Sequence, residues 1–214
     1  MRYLICALIP LMILSCKKKE EKYIITGKVI IPELNVPANN ASVTLWGTKV
    51  NQNLVQNMEE KIGQTNVQAD GTFRFEFDKL IYSNLKLYVT RHDCFDSEKA
   101  INPDNLSLNE EYNLLINLHI KAWLKTEIKK ISQNTNSKVF YKLTLPYNDC
   151  TSCCNTNQIN FPTTNNLDTS WVCAVYGNNY VYLTWITTNA NNPYPHNDTI
   201  FIPHSDTVYF PIFY

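Results

Sequence analysis

The side chains best suited to chemistry in this chain are thiols. Beyond the first sixteen residues stand Cys94, Cys150, Cys153, Cys154 and Cys173, three of them crowded into Cys150-Thr151-Ser152-Cys153-Cys154. In an oxidising compartment five such thiols make two bridges and leave one free, with the pairing open. Adjacent cysteines in an extended loop point opposite ways, so Cys153 and Cys154 call for different partners. Cys173, on a predicted strand, suits one of the loop group. A bridge closing about 20 residues contributes roughly 3 kcal/mol by constraining the unfolded chain. The sharper alternative is a metal-binding protein, with Cys150-x-x-Cys153-Cys154 as half of a thiolate site completed by Cys94, Cys173 or a histidine. Zinc sites usually draw a second close ligand pair, whereas His196 and His204 lie apart in loop sequence, so the disulfide reading is the stronger and no metal or cofactor is assigned. Redox use of Cys150-x-x-Cys153 would need a helix start in an α/β pattern, and none surrounds it.

Other chemistry finds little support. His92, His119, His196 and His204 stand singly, and His119 reads as an ordinary surface residue on the polar side of a strand. There is no G-x-S-x-G, H-E-x-x-H or Gly-rich phosphate loop. Glu59-Glu60 and Glu110-Glu111 read as solvated loop-edge pairs. The expectation is a protein that is not an enzyme. Lys and Arg total 19 and Asp and Glu 19, which gives nucleic acid no basic face to bind. Trp46, Tyr88, Trp123, Tyr182 and Tyr194 fall opposite the apolar stripes, where they suit either an interdomain contact or a platform for a glycan or a protein.

The elements that must position these residues are strands. Tyr23 to Ile31 is strand-like, stopped by Pro32, and Ala41, Val43 and Leu45 alternate with polar neighbours. Asn51 to Asn57 reads as a connection, Glu60 to Val67 as a weaker strand, and Asp70-Gly71 as a turn. Phe73, Phe75 and Phe77 alternate with charged residues, and Leu85, Leu87 and Val89 repeat the pattern. An irregular stretch, Arg91 to Glu110, follows. Leu114 to Leu124 alternates for longer than one strand normally runs, so one strand is expected to pass into another near Ile120-Lys121. Val139 to Leu145 is a strand, Asn148 to Asn166 a cysteine-bearing loop, and Trp171, Cys173 and Val175 run into a hairpin turn at Gly177-Asn178-Asn179. After Val181, Leu183 and Trp185, a loop is expected over Thr188 to Asp198, then a hairpin pairing Thr199–Ile202 with Val208–Tyr214. No helical period competes. The predicted fold class is all-β, with two consecutive antiparallel β-sandwich domains, 23–120 and 121–214.

The N-terminus carries a different signal. Arg2 precedes an apolar run of 11 residues, Leu4 to Leu14, broken by Pro10 and too short to span a bilayer, which takes about 20. Ile13-Leu14-Ser15-Cys16 then resembles the lipobox of bacterial lipoproteins. The resemblance implies that residues 1–15 are a signal peptide, that Cys16 is lipidated, and that 16–22 is a polar tether. Several acyl chains hold a protein stably at a membrane where one holds it only marginally. Lys19-Glu20-Glu21 resembles the surface-export signal of Bacteroidota lipoproteins, implying an outer-membrane protein exposed at the cell surface, with a periplasm-facing arrangement as the alternative. Asp198-Thr199-Ile200 and Asp206-Thr207-Val208 resemble the O-glycosylation acceptor of that phylum, which marks Thr199 and Thr207 as modification candidates.

Gly27-Lys28-Val29, Ala41 to Leu45, Ala69-Asp70-Gly71-Thr72-Phe73 and Leu85 to Val89 occur in an order that resembles the carboxypeptidase-regulatory-like or transthyretin-like β-sandwich module over residues 23–120. The chain departs from that pattern in a longer loop at 91–110 and in lacking a Gly before Leu85. The family is mostly non-catalytic, so the resemblance implies a structural or binding scaffold whose partners are the membrane, through the anchor, and an envelope glycan or protein.

Overall fold

The computed structural model describes residues 21–49, 58–79, 82–131, 137–147, 150–161, 167–189 and 192–214. The lipobox, Cys16 and the Asn51–Asn57 connection lie outside them. The described chain is β throughout, apart from one turn of 3-10 helix at Pro103–Asn105. There Asn102 accepts from the Asp104 N–H at 3.1 Å.

In the first sandwich β1 (Lys22–Ile31) is the middle of one sheet. It lies between β5 (Thr72–Asp78), antiparallel, and β8 (Glu111–Asn117), parallel, with β2 (Val36–Pro37) against its end. The facing sheet runs β4 (Met58–Asn66), β3 (Ser42–Lys49), β6 (Tyr82–Thr90), β7 (Ser97–Ile101). Period-2 alternation turns Ala41, Val43, Leu45, Leu85, Leu87 and Val89 inward, where they are essentially sealed from solvent. Gly27 is in mid-strand for a packing reason. A Cβ there would sit 2.5 Å from the Leu114 carbonyl oxygen and 2.7 Å from the Phe73 ring that lies over it. Gly71, at φ 88°, makes the turn into β5, and Asp70 Oδ1 accepts from Thr72 N–H and Oγ1–H at 3.0 and 2.7 Å.

The second sandwich repeats this plan. β9 (Lys121–Lys129) lies between β12 (Asp168–Tyr176), antiparallel, and β15 (Thr207–Phe213), parallel. The facing sheet runs β11 (Ile159–Phe161), β10 (Lys138–Thr144), β13 (Asn179–Asn189), β14 (Asn192–Ile202). Strand for strand, β9, β10, β11, β12, β13, β14 and β15 take the places of β1, β3, β4, β5, β6, β7 and β8. In each sandwich the last strand lies parallel beside the first, an exception to the otherwise antiparallel pairing. The buried apolar residues accordingly form two clusters, one from Ile25 to Ile120 and one from Ala122 to Ile212. The long alternation divides between β8 and β9.

Five local expectations are corrected. The stretch read as irregular, 91–110, contains β7, and the loop expected over 148–166 contains β11. Gly177-Asn178 is not a hairpin turn, because β12 and β13 belong to opposite sheets and the chain crosses the sandwich there. β14 and β15 cross in the same way, so Thr199–Ile202 and Val208–Tyr214 do not pair. Thr188 to Asp198 is not a loop either: β13 and β14 form a long hairpin whose last pair is Asn189 with Asn192. Its prolines are tolerated because β14 is an edge strand. Pro193 and Pro195 occupy the same phase, the one whose backbone nitrogens face away from β13.

A candidate binding cleft between the two sandwiches

The link between the sandwiches is gripped from both sides. Phe95 N–H donates to His119 O and Lys121 N–H to Asp93 O, both at 2.8 Å. From the second sandwich Gly177 N–H donates to Ile120 O at 2.8 Å, while Ser205 N–H donates to Lys121 O at 2.9 Å. Gly177 is required by this approach, since a Cβ would come within 2.6 Å of the His204 backbone. The turn therefore sets Tyr176, the last residue of β12, directly against the link.

Around Tyr176 the two sandwiches meet ring to ring. His119 stacks on it at 4.1 Å and 2°, Tyr147 at 3.9 Å and 16°, and Phe95 tilts against it at 5.2 Å. Tyr147 Oη accepts from the Tyr176 backbone N–H at 2.7 Å. His119 Nδ1 lies 2.5 Å from Glu33 Oε1, and only 7% of the Glu33 side chain is exposed. Its other oxygen, Oε2, is buried and has no hydrogen-bond partner among the described residues, an uncommon condition for a carboxylate. Glu33, His119, Tyr147 and Tyr176 border a cleft of about 370 Å³ that Asn178 and Asn179 also line. The cleft holds polar and aromatic groups from both sandwiches and, among the described residues, no lysine or arginine.

His119 is thus not the surface residue expected from its alternation, because it lies in the link after β8 has ended. Glu33, Tyr147 and Tyr176 were not among the sequence candidates. A faint signal existed: Glu33 and Tyr147 each come immediately after a proline, Pro32 and Pro146, that follows the end of a strand.

The cysteines resolve into two bridges, Cys150–Cys153 and Cys154–Cys173. The second pins the loop to β12, helped by Cys154 N–H donating to Ala174 O at 2.9 Å. The thiolate-site alternative is overturned for this loop, since all four sulfurs are consumed. Among the described residues no group of three His, Cys, Asp or Glu side chains is placed to hold a metal ion. Cys94, counted among the disulfide candidates, is free and fully buried in the first sandwich, while the other four lie in the second. Burial, reinforced by the neighbouring Asp93 carboxylate, pushes its thiol up to about 12. Asp93 itself is gripped by Arg91 through Nε and Nη2 at 2.6 and 2.7 Å, which holds its carboxyl below the usual range.

The remaining candidates are dispersed. Glu60 pairs with Lys49 at 2.7 Å, and Glu111 pairs with Arg74. Trp46, Tyr88 and Trp123 are half-buried on outer sheet faces. Tyr182 is exposed on the outer face of its sheet opposite Thr199, beside the Tyr180–Phe201 ring pair. Tyr194 falls in the same phase of β14 as the buried Ile202 and stays half exposed. Thr199 and Thr207 are both exposed, each with its N–H taken at 2.7 Å by Oδ1 of the preceding aspartate.

No protein-family model and no curated protein sequence matches the chain. Among solved structures it is similar to the Bacillus anthracis TIE protein, with 11% identity and a TM-score of 0.34 over 89% of this chain. That match spans about a third, 33%, of the TIE protein's length. It is also similar to the shaft pilin SpaA of Lactobacillus rhamnosus GG, with 8% identity, a TM-score of 0.31, and 90% and 96% of the two chains covered. The major pilin SpaD of Corynebacterium diphtheriae aligns with 11% identity and a TM-score of 0.35 over 83% and 64%. Likenesses this distant assign no function.

Proposed function

We propose that the chain is a lipid-anchored protein of the cell envelope, a non-enzymatic scaffold that presents its two sandwiches for structural or binding use. The observation that carries this reading is the pair of bridges, Cys150–Cys153 and Cys154–Cys173. Disulfides persist in oxidising compartments and are rare where glutathione keeps thiols reduced. The apolar leader and Ile13-Leu14-Ser15-Cys16 supply a route to such a compartment and a thiol to be acylated. On this reading the protein sits in the outer membrane with its folded part facing the cell surface. Its partners are the membrane, through the anchor, and an envelope glycan or protein. The test is Cys16→Ala, followed by membrane fractionation and labelling with an alkynyl fatty acid. The wild type should take up label and sediment with membranes. The variant should lose both, accumulating as precursor or soluble protein. A processed, membrane-bound Cys16→Ala protein would overturn the anchor, and protection from protease added to intact cells would overturn the surface-facing arrangement.

A further inference from the structure

We infer that the outer face of β10, β13 and β14 binds an anionic polysaccharide, with Tyr180, Tyr182 and Phe201 as its ring platform and Lys138 and Lys142 as its acid-binding groups. This rests on the binding role proposed above and names its ligand class, and it does not depend on lipidation of Cys16.

The face follows from register. Val139, Leu143, Val181 and Leu183 are buried, which turns the alternate residues of β10 and β13 outward. Tyr180 pairs with Phe201 of β14, their rings 5.2 Å apart, and Tyr182 follows on the same face. Tyr180 is 54% exposed, and Tyr182 and Phe201 are 45% exposed each. Adjoining exposed rings on one sheet mark an interaction site, and they offer apolar area to the C–H side of sugar rings. The next row across the strands is Lys142, Thr184 and Asn197, all exposed. A threonine hydroxyl and an asparagine amide each donate and accept, as the hydroxyls of a sugar do. Charge then selects the kind of polysaccharide. Among the described residues this outer face holds no carboxylate, and neither Lys138 nor Lys142 has an ion-pair partner. Asp198, the one acid on these three strands, is in the opposite phase of β14 and accepts from Thr199 N–H. The other three outer faces do hold acids: Glu111 is paired with Arg74, Glu98 with Lys86 and Asp168 with Lys129. Lys138 and Lys142 are four positions apart on β10, about 13 Å at 3.3 Å per residue. Two unneutralised cations so spaced suit a ligand whose negative charges recur along a chain. Size agrees. Three strands about 4.8 Å apart, over the stretch from Tyr180 to Thr188, cover roughly 400 Å². That is about half of the ~800 Å² per partner of a stable protein complex, so the face fits a polymer chain better than a globular surface. An extended acidic peptide would seek backbone groups at a sheet edge, and the first half of the β14 edge carries prolines there.

The experiment is isothermal titration of the full-length chain in a non-ionic, sugar-free detergent. The probes are polygalacturonate, alginate and hyaluronan, with dextran as a neutral polysaccharide and polyglutamate as an acidic peptide. At least one of the three uronate polymers should bind, and dextran and polyglutamate should not. Lys142→Gln and Tyr182→Ala should each weaken that binding fivefold or more with the melting temperature unchanged, since both side chains are exposed. Lys125→Gln removes an exposed lysine from the outer face of β9, where it lies over Tyr209, and should leave the affinity as it was. Binding of none of the uronate polymers, binding of dextran or polyglutamate as tight as theirs, normal affinity in either Lys142→Gln or Tyr182→Ala, or an equal loss in Lys125→Gln would each overturn the assignment. None of those results bears on the Cys16 anchor, which fractionation tests separately.

Discussion

Cys94 and the four bridged cysteines have opposite roles, and the difference is measurable. Cys94 is sealed in the first core, its thiol raised from 9.0 to about 12 by burial and then by Asp93. A native thiol so protected should resist iodoacetamide at pH 8 and react fully in denaturant, one extra alkylation by intact mass. The pH sign follows from linkage. The folded state keeps the thiol proton longer than the unfolded chain, so the contribution is complete below about pH 9 and is lost as pH rises towards 12. Tyr82, raised to about 12 by burial and by Glu60, acts in the same direction. Urea melts between pH 8 and 10.5 should therefore show falling stability, with a shallower fall in Cys94→Ala. An equal slope in that variant would remove Cys94 as the cause. The bridged cysteines differ by loop length. Cys154–Cys173 spans 19 positions and Cys150–Cys153 spans 3. By loop-closure entropy the longer bridge contributes about 3 kcal/mol and the shorter about 2. Thermal melts should accordingly rank Cys173→Ser below Cys150→Ser, and the reverse order would show that strain or packing outweighs chain entropy here.

At the scale of elements, β14 is an edge strand of its sheet. Pro193 and Pro195 hold the outward-facing nitrogens of its first half, so that stretch cannot donate to an added strand. Replacing both by threonine should restore two donors and promote self-association, seen as dimers or larger species by light scattering; a strictly unchanged mass would show the edge is guarded by other means. These prolines also explain which parts of the fold were legible. Alternation in Phe73–Phe77, Leu85–Val89 and Val139–Leu145 reports one buried face, and each of these became a strand. β14 has no such alternation, since nearly all its side chains are exposed, and its prolines imitate a loop. The turn at Gly177-Asn178 was legible as a turn but not as a crossing. Residue type reports the tight bend, whereas the destination of the next strand depends on which sheet has a place for it. The cleft was the least legible part. Glu33 and Tyr147 are separated by more than a hundred residues, and only the stacking of two sandwiches makes them neighbours.

At the scale of the whole molecule, Tyr176 is one of the contacts between the two sandwiches. It is buried to 6% exposure and touches His119 and Phe95 from the first sandwich and Tyr147 from its own. Tyr176→Ala should cost about 3–5 kcal/mol, the range for a buried aromatic. It should also split calorimetric unfolding into two transitions, one per sandwich, where the parent protein shows closer coupling. A variant that melts as one unit at the parent temperature would show that the backbone bonds to Ile120 and Lys121 suffice. The parallel placement of the last strand beside the first has a consequence of another kind. A chain that leaves in the direction it entered exits at the opposite end of the sandwich, so two such units in series add their lengths instead of folding back. β1 and β9, of 10 and 9 residues, laid end to end at about 3.3 Å per residue, reach roughly 60 Å. Under the anchoring proposed at Cys16, such a span carries the second sandwich away from the lipid instead of returning it to the headgroups.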